Sequence, residues 1–339
     1  MSFRICIVGC GQMAEHGHGP AWREYADRNS GVTLAACCDI DEARAGSFQQ
    51  KFGFSRRYTD IGTMLEREKP DAICLVVPAH LMTTMAIPLL EKGYPQLLEK
   101  PPGLNREETI RLIQAAERGD APNQVAFNRR YMPLVLKLQE VLKLRGDSGI
   151  HTIRYVMYRT GRTDEDFATT AIHGIDLVSY IAGSAYRHIQ FRYQELPDVG
   201  TRVANIYVTG ELVSGAVIEL CFCPVSGGCI ERMEVSTWNH TFFLELPVWG
   251  SPDIPGRLLH SERNQGVTDI SGNLAEGMDK LFAMNGFYEE NCRFFDEIRA
   301  GRKPKGDIKS GLQAVEIADC IRNRKAEYRL DPYDGGCLT

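Results

Sequence analysis

From Phe3 to about Ala126 the chain alternates short apolar runs with helical patterns. FRICIV opens it, VTLAACCD precedes EARAGSFQQKFG, DAICLVVP precedes TTMAIPLLEKG, PQLLEK precedes REETIRLIQAAERG, and NQVAF closes the series. Strand and helix in turn predict a parallel sheet covered by helices. After about Ile150 the texture changes to longer strand-like segments: IHTIRYVMYR, HIQFRYQEL, RVANIYVTGE, GAVIELCFCP, CIERMEVSTW and TFFLELPVW. Turn signals at Gly210 and Ser226-Gly227-Gly228 separate several of them, which predicts an antiparallel sheet. Amphipathic helical stretches run from Thr170 to Ile181 and from Phe287 to Ala300, and SGLQAVEIADCIRNRK is the last helix-like run. No internal repeat or low-complexity linker interrupts the two textures.

A length of 339 residues favours two domains over one core. The formal net charge of −5 leaves no basic footprint for nucleic acid and no acidic tail, so a small molecule is the expected partner. The eleven cysteines lie mostly in apolar runs, as buried reduced thiols do, and no CxxC pair suggests a metal site. MSFRICIVGCGQ carries an apolar stretch of strand length that runs into glycines. It matches neither a signal peptide nor a membrane span, and the chain is expected in the cytoplasm.

Within IVGCGQMA, Gly9, Gly11 and Ala14 match G-x-G-x-x-G/A directly after a strand, with Gln12 and Met13 inside the turn. Glycines there permit a tight turn and let backbone N–H groups approach a pyrophosphate at a helix N-terminus. The second strand ends in Asp39, followed by Ile40. A carboxylate at that place accepts hydrogen bonds from an adenosine ribose and repels a 2′-phosphate, which predicts NAD over NADP. The alternative is that Asp39 caps the next helix, a task Asp41 fits equally well. EHGHGPAW departs from the fingerprint by placing Gly17, Gly19 and Pro20 where the first helix should continue. A single turn that restarts at Pro20 is expected, with His16 and His18 on a solvated loop beside the cofactor. In LLEKPPG, Pro101 restricts Lys100 to an extended or turn conformation at the end of a strand.

The order IVGCGQMA, CCDID, DAICLVVP, LLEKPPG, AFNRRYMP and IHGIDLVSYIAG resembles the Gfo/Idh/MocA family of nicotinamide-dependent oxidoreductases, and FFDEIRAGRKPKGDIKSGLQAVEIAD extends the likeness towards the C-terminus. The resemblance implies an α/β plus α+β chain. Residues 1–126 would form an NAD-binding Rossmann domain with a doubly wound parallel sheet. Residues 127–339 would form a substrate-binding and oligomerisation domain with a large, mostly antiparallel open sheet, making a homodimer or homotetramer. Glu99-Lys100-Pro101 matches the family's E-K-P motif, whose lysine lies near nicotinamide and the substrate hydroxyl. Oxidising an alcohol removes a hydride and a proton, so a residue that holds the proton and stabilises developing alkoxide is required.

His173 and Asp176 match a D-x-x-x-H-x-x-D helix pattern, while Thr169 stands where relatives carry the first aspartate. The spacing puts all three on one helix face. The implied catalytic set is Lys100, His173 and Asp176, with Asp176 orienting His173 or holding substrate. Thr169 and Arg129 join Lys100 and His173 as substrate residues. Val77, Pro78, Glu99 and Asn128 join Gly9, Gly11, Gln12, Met13, Ala14, Asp39 and Ile40 around the cofactor, and no metal is called for. Many relatives have a histidine where Met82 stands, with His80 out of register, and Arg130 fits a domain-packing ion pair equally well. The expected activity is NAD-dependent oxidation of a hydroxyl on a sugar, polyol or glycoside, with Lys100 and His173 handling the proton. Two alternatives stay open: a non-catalytic regulatory protein that binds dinucleotide and sugar, and a glycosidic-bond-cleaving enzyme with a transient NAD redox cycle. No paired arginines stand out to clamp a carboxylate, which favours a sugar-like substrate over a short hydroxy acid.

Overall fold

The computed structural model describes residues 2–144, 149–273 and 279–331. The chain divides into two compact units, Met1–Asn128 with Gly286–Val315, and Arg129–Asn285 with Glu316–Thr339. Beside the expected boundary after residue 126, the compact units part after residue 128, and 286–315 is grouped with the first unit; residues 332–339 of the expected second domain lie outside the described residues.

In the first unit, strands β1 (Phe3–Val8), β2 (Val32–Cys38), β3 (Arg56–Tyr58), β4 (Ala72–Leu75), β5 (Gln96–Leu98) and β6 (Asn123–Val125) form a sheet in the order β3-β2-β1-β4-β5-β6. Every neighbour pair is parallel. The strands alternate with helices α1 (Gly19–Arg28), α2 (Glu42–Phe52), α3 (Ile61–Glu68), α4 (Ala79–Glu91) and α5 (Arg106–Arg118). Strands buried on both faces read as unbroken apolar runs, and β4 is buried at all four positions. Their carboxyl ends gather the loops, with Val8 in register with Cys38 on one side and Leu75 on the other.

The second unit starts within the 3₁₀ turn Asn128–Tyr131 and continues through α6 (Pro133–Leu144), β7 (Thr152–Tyr158) and α7 (Ala168–Ala182). Then follow β8 (Tyr186–Glu195), β9 (Ala204–Leu212), β10 (Val217–Cys223), β11 (Ile230–Thr237), β12 (His240–Glu245), β13 (Arg257–Glu262), β14 (Gln265–Ser271) and the short helix α8 (Leu281–Met284). After α9 (Phe287–Arg299), which belongs to the first unit, α10 (Leu312–Arg322) leads to β15 (Glu327–Arg329). The nine strands run in the order β14-β13-β12-β11-β7-β10-β9-β8-β15. All pairs are antiparallel except β7 with β10. Strands β13, β14 and β15 carry no hairpin signal strong enough to announce them. Along β7, Ile153, Tyr155 and Met157 are buried while Thr152 and Arg154 are exposed, the alternation of a sheet covered on one face. Helix α7 presses against β7 closely enough that a Cβ on Gly174 would stand 2.2 Å from the Tyr155 ring.

The amphipathic helix read over 287–300 is α9, and its apolar face explains the return of the chain. Phe294 and Phe295 join Trp22, Tyr25, Phe48 and Phe52 in one core cluster. Tyr25 donates to Asp296 Oδ1 at 2.6 Å, and Phe3 meets Phe295 edge-on at 6.1 Å. Phe294 is fully buried. Replacing it with Ala should cost about 3–5 kcal/mol. Urea unfolding followed by tryptophan fluorescence checks this, and a loss below about 1 kcal/mol would show that α9 contributes little to that core.

Candidate active site

Gly9 turns the chain at the end of β1 with φ +94°, and a Cβ there would stand 2.0 Å from the Val76 carbonyl oxygen. Only glycine fits. A Cβ on Gly11 would meet nothing within 4 Å, so this side of the turn is open to a ligand's close approach. Ala14 is fully buried, whereas Met13 is 36% exposed and Gln12 is exposed. At the end of β2, Asp39 accepts the Cys10 N–H at 2.8 Å and the Asp41 N–H at 2.9 Å, with Arg44 Nη1 at 3.3 Å. Asp41 accepts the Arg44 N–H and caps α2. The capping alternative for Asp39 is thereby removed. Ile40 beside it is 92% exposed, an apolar surface suited to a flat aromatic base. Val77 and Pro78 lead from β4 into α4, Met82 is fully buried in α4 and His80 is exposed. These features fit a dinucleotide: an open glycine turn, an oriented carboxylate and apolar rims.

At the end of β5, the Glu99 N–H bonds to the Leu75 carbonyl, and its carboxylate accepts the Lys100 N–H at 3.0 Å. His18 Nε2 lies 3.0 Å from the other carboxylate oxygen. Burial alone would raise the Glu99 carboxyl, but the hydrogen bond from His18 and the charge of Lys100 hold it below its ordinary value. The expected solvated loop is therefore corrected for His18. Ala14–His18 form a π-helical turn that runs directly into α1, whose first turn holds Pro20. His16 is exposed, and His18 is completely buried. The sequence signal available was a histidine between two glycines.

In the second unit, Arg129 from the 3₁₀ turn reaches Glu231 of β11 with Nη2 at 2.8 Å and Nε at 3.3 Å. Tyr155 donates to the same carboxylate at 2.8 Å, and Arg159 forms a further ion pair with it. Glu231 has no exposed surface. Burial would raise its carboxyl, but the two guanidinium groups outweigh burial and bring it down to about 2. Arg129 Nη1 lies 3.4 Å from His173 Nε2 on α7. Two arginines do therefore meet on Glu231, whose carboxylate neutralises one of their charges, and one of them, Arg129, reaches His173.

Asp176 sits one helical turn on and takes Arg130, with Nε at 2.8 Å from Oδ2 and Nη2 on Oδ1. Burial pushes its carboxyl up against the pull of that guanidinium, which also lies 5.2 Å from the Tyr180 ring centre. Its carboxylate is thus turned to Arg130. The ion pair weighed for Arg130 is this one, made inside the second unit. Thr169 donates its hydroxyl to the Asp166 carbonyl at 2.9 Å, closing the first turn of α7. Asn128 is buried at the start of the 3₁₀ turn. Lys100, Glu99 and the glycine turn belong to the first unit, and Arg129, Thr169, His173 and Asp176 to the second. Among the described residues, no group of three or more His, Cys, Asp or Glu side chains is placed to hold a metal, all ten cysteines are free thiols, and no helix is long and apolar enough to cross a membrane.

Residues 3–127 match the oxidoreductase family with an NAD-binding Rossmann fold, GFO_IDH_MocA. Inositol 2-dehydrogenase of Corynebacterium glutamicum (strain R) is 25% identical over 229 residues, which cover 65% of this chain and 66% of that protein. The chain thus spans slightly less than two thirds of that relative. A solved dehydrogenase from Chromobacterium violaceum superposes with a TM-score of 0.82 at 21% identity, covering 96% of each chain. Levoglucosan dehydrogenase, solved with NADH and levoglucosan, gives a TM-score of 0.82 at 15% identity over 97% of this chain and 99% of that one. At these identities the solved structures establish the fold alone.

Two outcomes follow from the geometry. NAD should bind more tightly than NADP, and Asp39→Ala should narrow the gap by roughly tenfold, since Arg44 would then meet a 2′-phosphate without the opposing carboxylate. Titration calorimetry with both cofactors checks this; equal affinities in the unmutated protein would contradict it. Glu231→Gln should lower stability by about 3 kcal/mol at pH 7, because both arginines lose their buried partner. A carboxyl depressed to about 2 in the folded state stabilises above its unfolded value near 4.3, and that stabilisation fades as pH falls towards 2. The difference between the two proteins in urea should therefore shrink between pH 5 and pH 3, and a constant difference would rule out this source.

Proposed function

We propose that this chain, whose residues 3–127 match the Gfo/Idh/MocA oxidoreductase family with its NAD-binding Rossmann fold, is an NAD-dependent dehydrogenase acting on a hydroxyl of a neutral, ring-shaped sugar, polyol or glycoside. The observation that carries the proposal is the Lys100 turn. A lysine follows the last central strand of an NAD-binding sheet, its backbone fastened to a buried carboxylate, in the segment that matches the E-K-P motif. NAD, when bound, supplies the hydride acceptor. The chain's own residues then have the proton to manage. Lys100 holds or relays the hydroxyl proton and offers positive charge to a developing alkoxide, and His173 takes part in the same transfer. Thr169 has no charge to contribute, since a hydroxyl remains neutral at physiological pH, so in this chain it shapes substrate binding.

The neutral character of the substrate is supported by Glu231. Arg129 and Arg159 are already engaged by a fully buried carboxylate, so a substrate carboxylate would have to compete with an ion pair held in place. Relatives named inositol 2-dehydrogenase and D-apiose dehydrogenase, and the solved levoglucosan dehydrogenase, carry names of neutral polyols and sugars.

The test is to incubate the chain and NAD with myo-inositol, levoglucosan, D-glucose, D-glucuronate and small 2-hydroxy acids while following the absorbance of reduced nicotinamide. Net accumulation with a neutral polyol is expected. Lys100→Met should lower turnover by about 10²–10⁴-fold with little change in NAD affinity. Activity confined to the acids, or full turnover by Lys100→Met, would overturn the reading.

A further inference from the structure

The buried histidine of the first unit has no part in the chemistry above, yet it is tied to the motif that carries it. Trp22 Nε1 donates to Asn291 Oδ1 at 2.6 Å. An indole N–H can only donate, which fixes the orientation of the Asn291 amide. Asn291 Nδ2 then donates to the Phe287 carbonyl at 2.7 Å and faces His18 Nδ1 at 3.1 Å. Nδ1 is accordingly the accepting nitrogen of His18, and the ring proton sits on Nε2, aimed at Glu99 Oε1 at 3.0 Å. The other Glu99 oxygen receives the Lys100 N–H. One unbroken chain of hydrogen bonds thus runs from Trp22 through Asn291, His18 and Glu99 to the backbone of Lys100.

The glycines around His18 are what let it reach that place. A Cβ on Gly17 would stand 2.8 Å from the Phe287 ring, and a Cβ on Gly19 would stand 2.7 Å from the Phe52 ring and 2.9 Å from the Ala14 carbonyl. Both flanks of the π turn are therefore pressed against neighbouring helices, leaving His18 packed between the Trp22 ring at 5.3 Å and the Phe287 ring at 5.0 Å. A π turn costs helix regularity and concentrates at functional sites. Here it carries His18 inward.

We propose that His18, oriented by Asn291, is a positioning residue for Lys100: it holds the Glu99 carboxylate aimed at the Lys100 N–H, which fixes the turn from which the lysine side chain projects. The inference deepens the role given to Lys100 above and rests on it. The titratable groups acting on Glu99 are His18 from the π turn and Lys100 from its own loop; α9 presents the amide of Asn291.

The experiment compares His18→Leu, which removes the donor, with His18→Gln, whose amide can replace it, in the full chain. The primary readout is hydrogen exchange at the Lys100 amide, expressed as protection relative to the unfolded chain at pH 6 and pH 8.5, which needs no substrate. His18→Leu should lose about tenfold in protection at pH 6, where the undonated Glu99 takes up a proton, and regain it at pH 8.5. His18→Gln should keep it at both. If His18→Leu does not fold, Asn291→Ala carries the same comparison. Turnover of NAD with the polyol chosen by the panel should fall in parallel at pH 6, through kcat, while NAD affinity stays within about twofold. Unchanged protection at Lys100, or a loss spread evenly over the amides of β1, β4 and β5 at both pH values, would overturn the proposal. Full turnover by Lys100→Met would instead remove the catalytic reading and leave the exchange result standing.

Discussion

The parallel pairing of β1 with β2 on one side and β4 on the other is the constraint from which the first unit follows. Strands that run the same way must return by crossover helices, and the carboxyl ends of adjacent strands then face one edge together. The sheet order reverses at β1, the place where open α/β sheets admit ligands. Gly9, Asp39, Val77 and Lys100 each follow a different strand, yet all four stand just past a carboxyl end of that sheet. Their chemistry is local, but their convergence is a property of strand direction.

Buried charge organises both units, and in each case a carboxylate is the fixed point. Glu231 receives two guanidinium groups and a phenol, Asp176 a single bidentate guanidinium, and Glu99 an imidazole and a backbone amide. Removing one partner from such a group leaves a charge without solvent or counter-ion, so these side chains set orientation more than they add stability. Arg129 is the clearest case. Its guanidinium is held from one side by Glu231, which leaves Nη1 against His173.

What the sequence disclosed was whatever repeats along the chain. Alternating strand and helix patterns revealed the parallel sheet, period-two runs revealed most of the second sheet, and the glycine and E-K-P motifs marked the ends of β1 and β5. Partners far apart in sequence were hidden. Arg129 and Glu231 are separated by 102 residues, and Asn291 and His18 by 273. No local pattern says that a particular buried charge will meet another. The two glycines beside His18 did signal irregular helix, but they fit a loop as well as a π turn, and only the rings of Phe52 and Phe287 decide between them. Asp176 shares a helix face with His173 by spacing, yet Arg130 claims it, because a guanidinium within reach meets a buried carboxylate with two parallel charge-assisted hydrogen bonds.

The return of α9 to the first unit bears on the order in which the molecule can be made. Synthesis proceeds at about 5–20 residues per second, so the segment carrying Phe294 and Phe295 leaves the ribosome on the order of tens of seconds after β1. Throughout that interval the nascent sheet lacks the Phe295 ring that packs on Tyr25, and eight of the nine strands of the second sheet are translated before it arrives. A cofactor-binding unit whose helix α9 comes this late cannot complete its aromatic core as an N-terminal module.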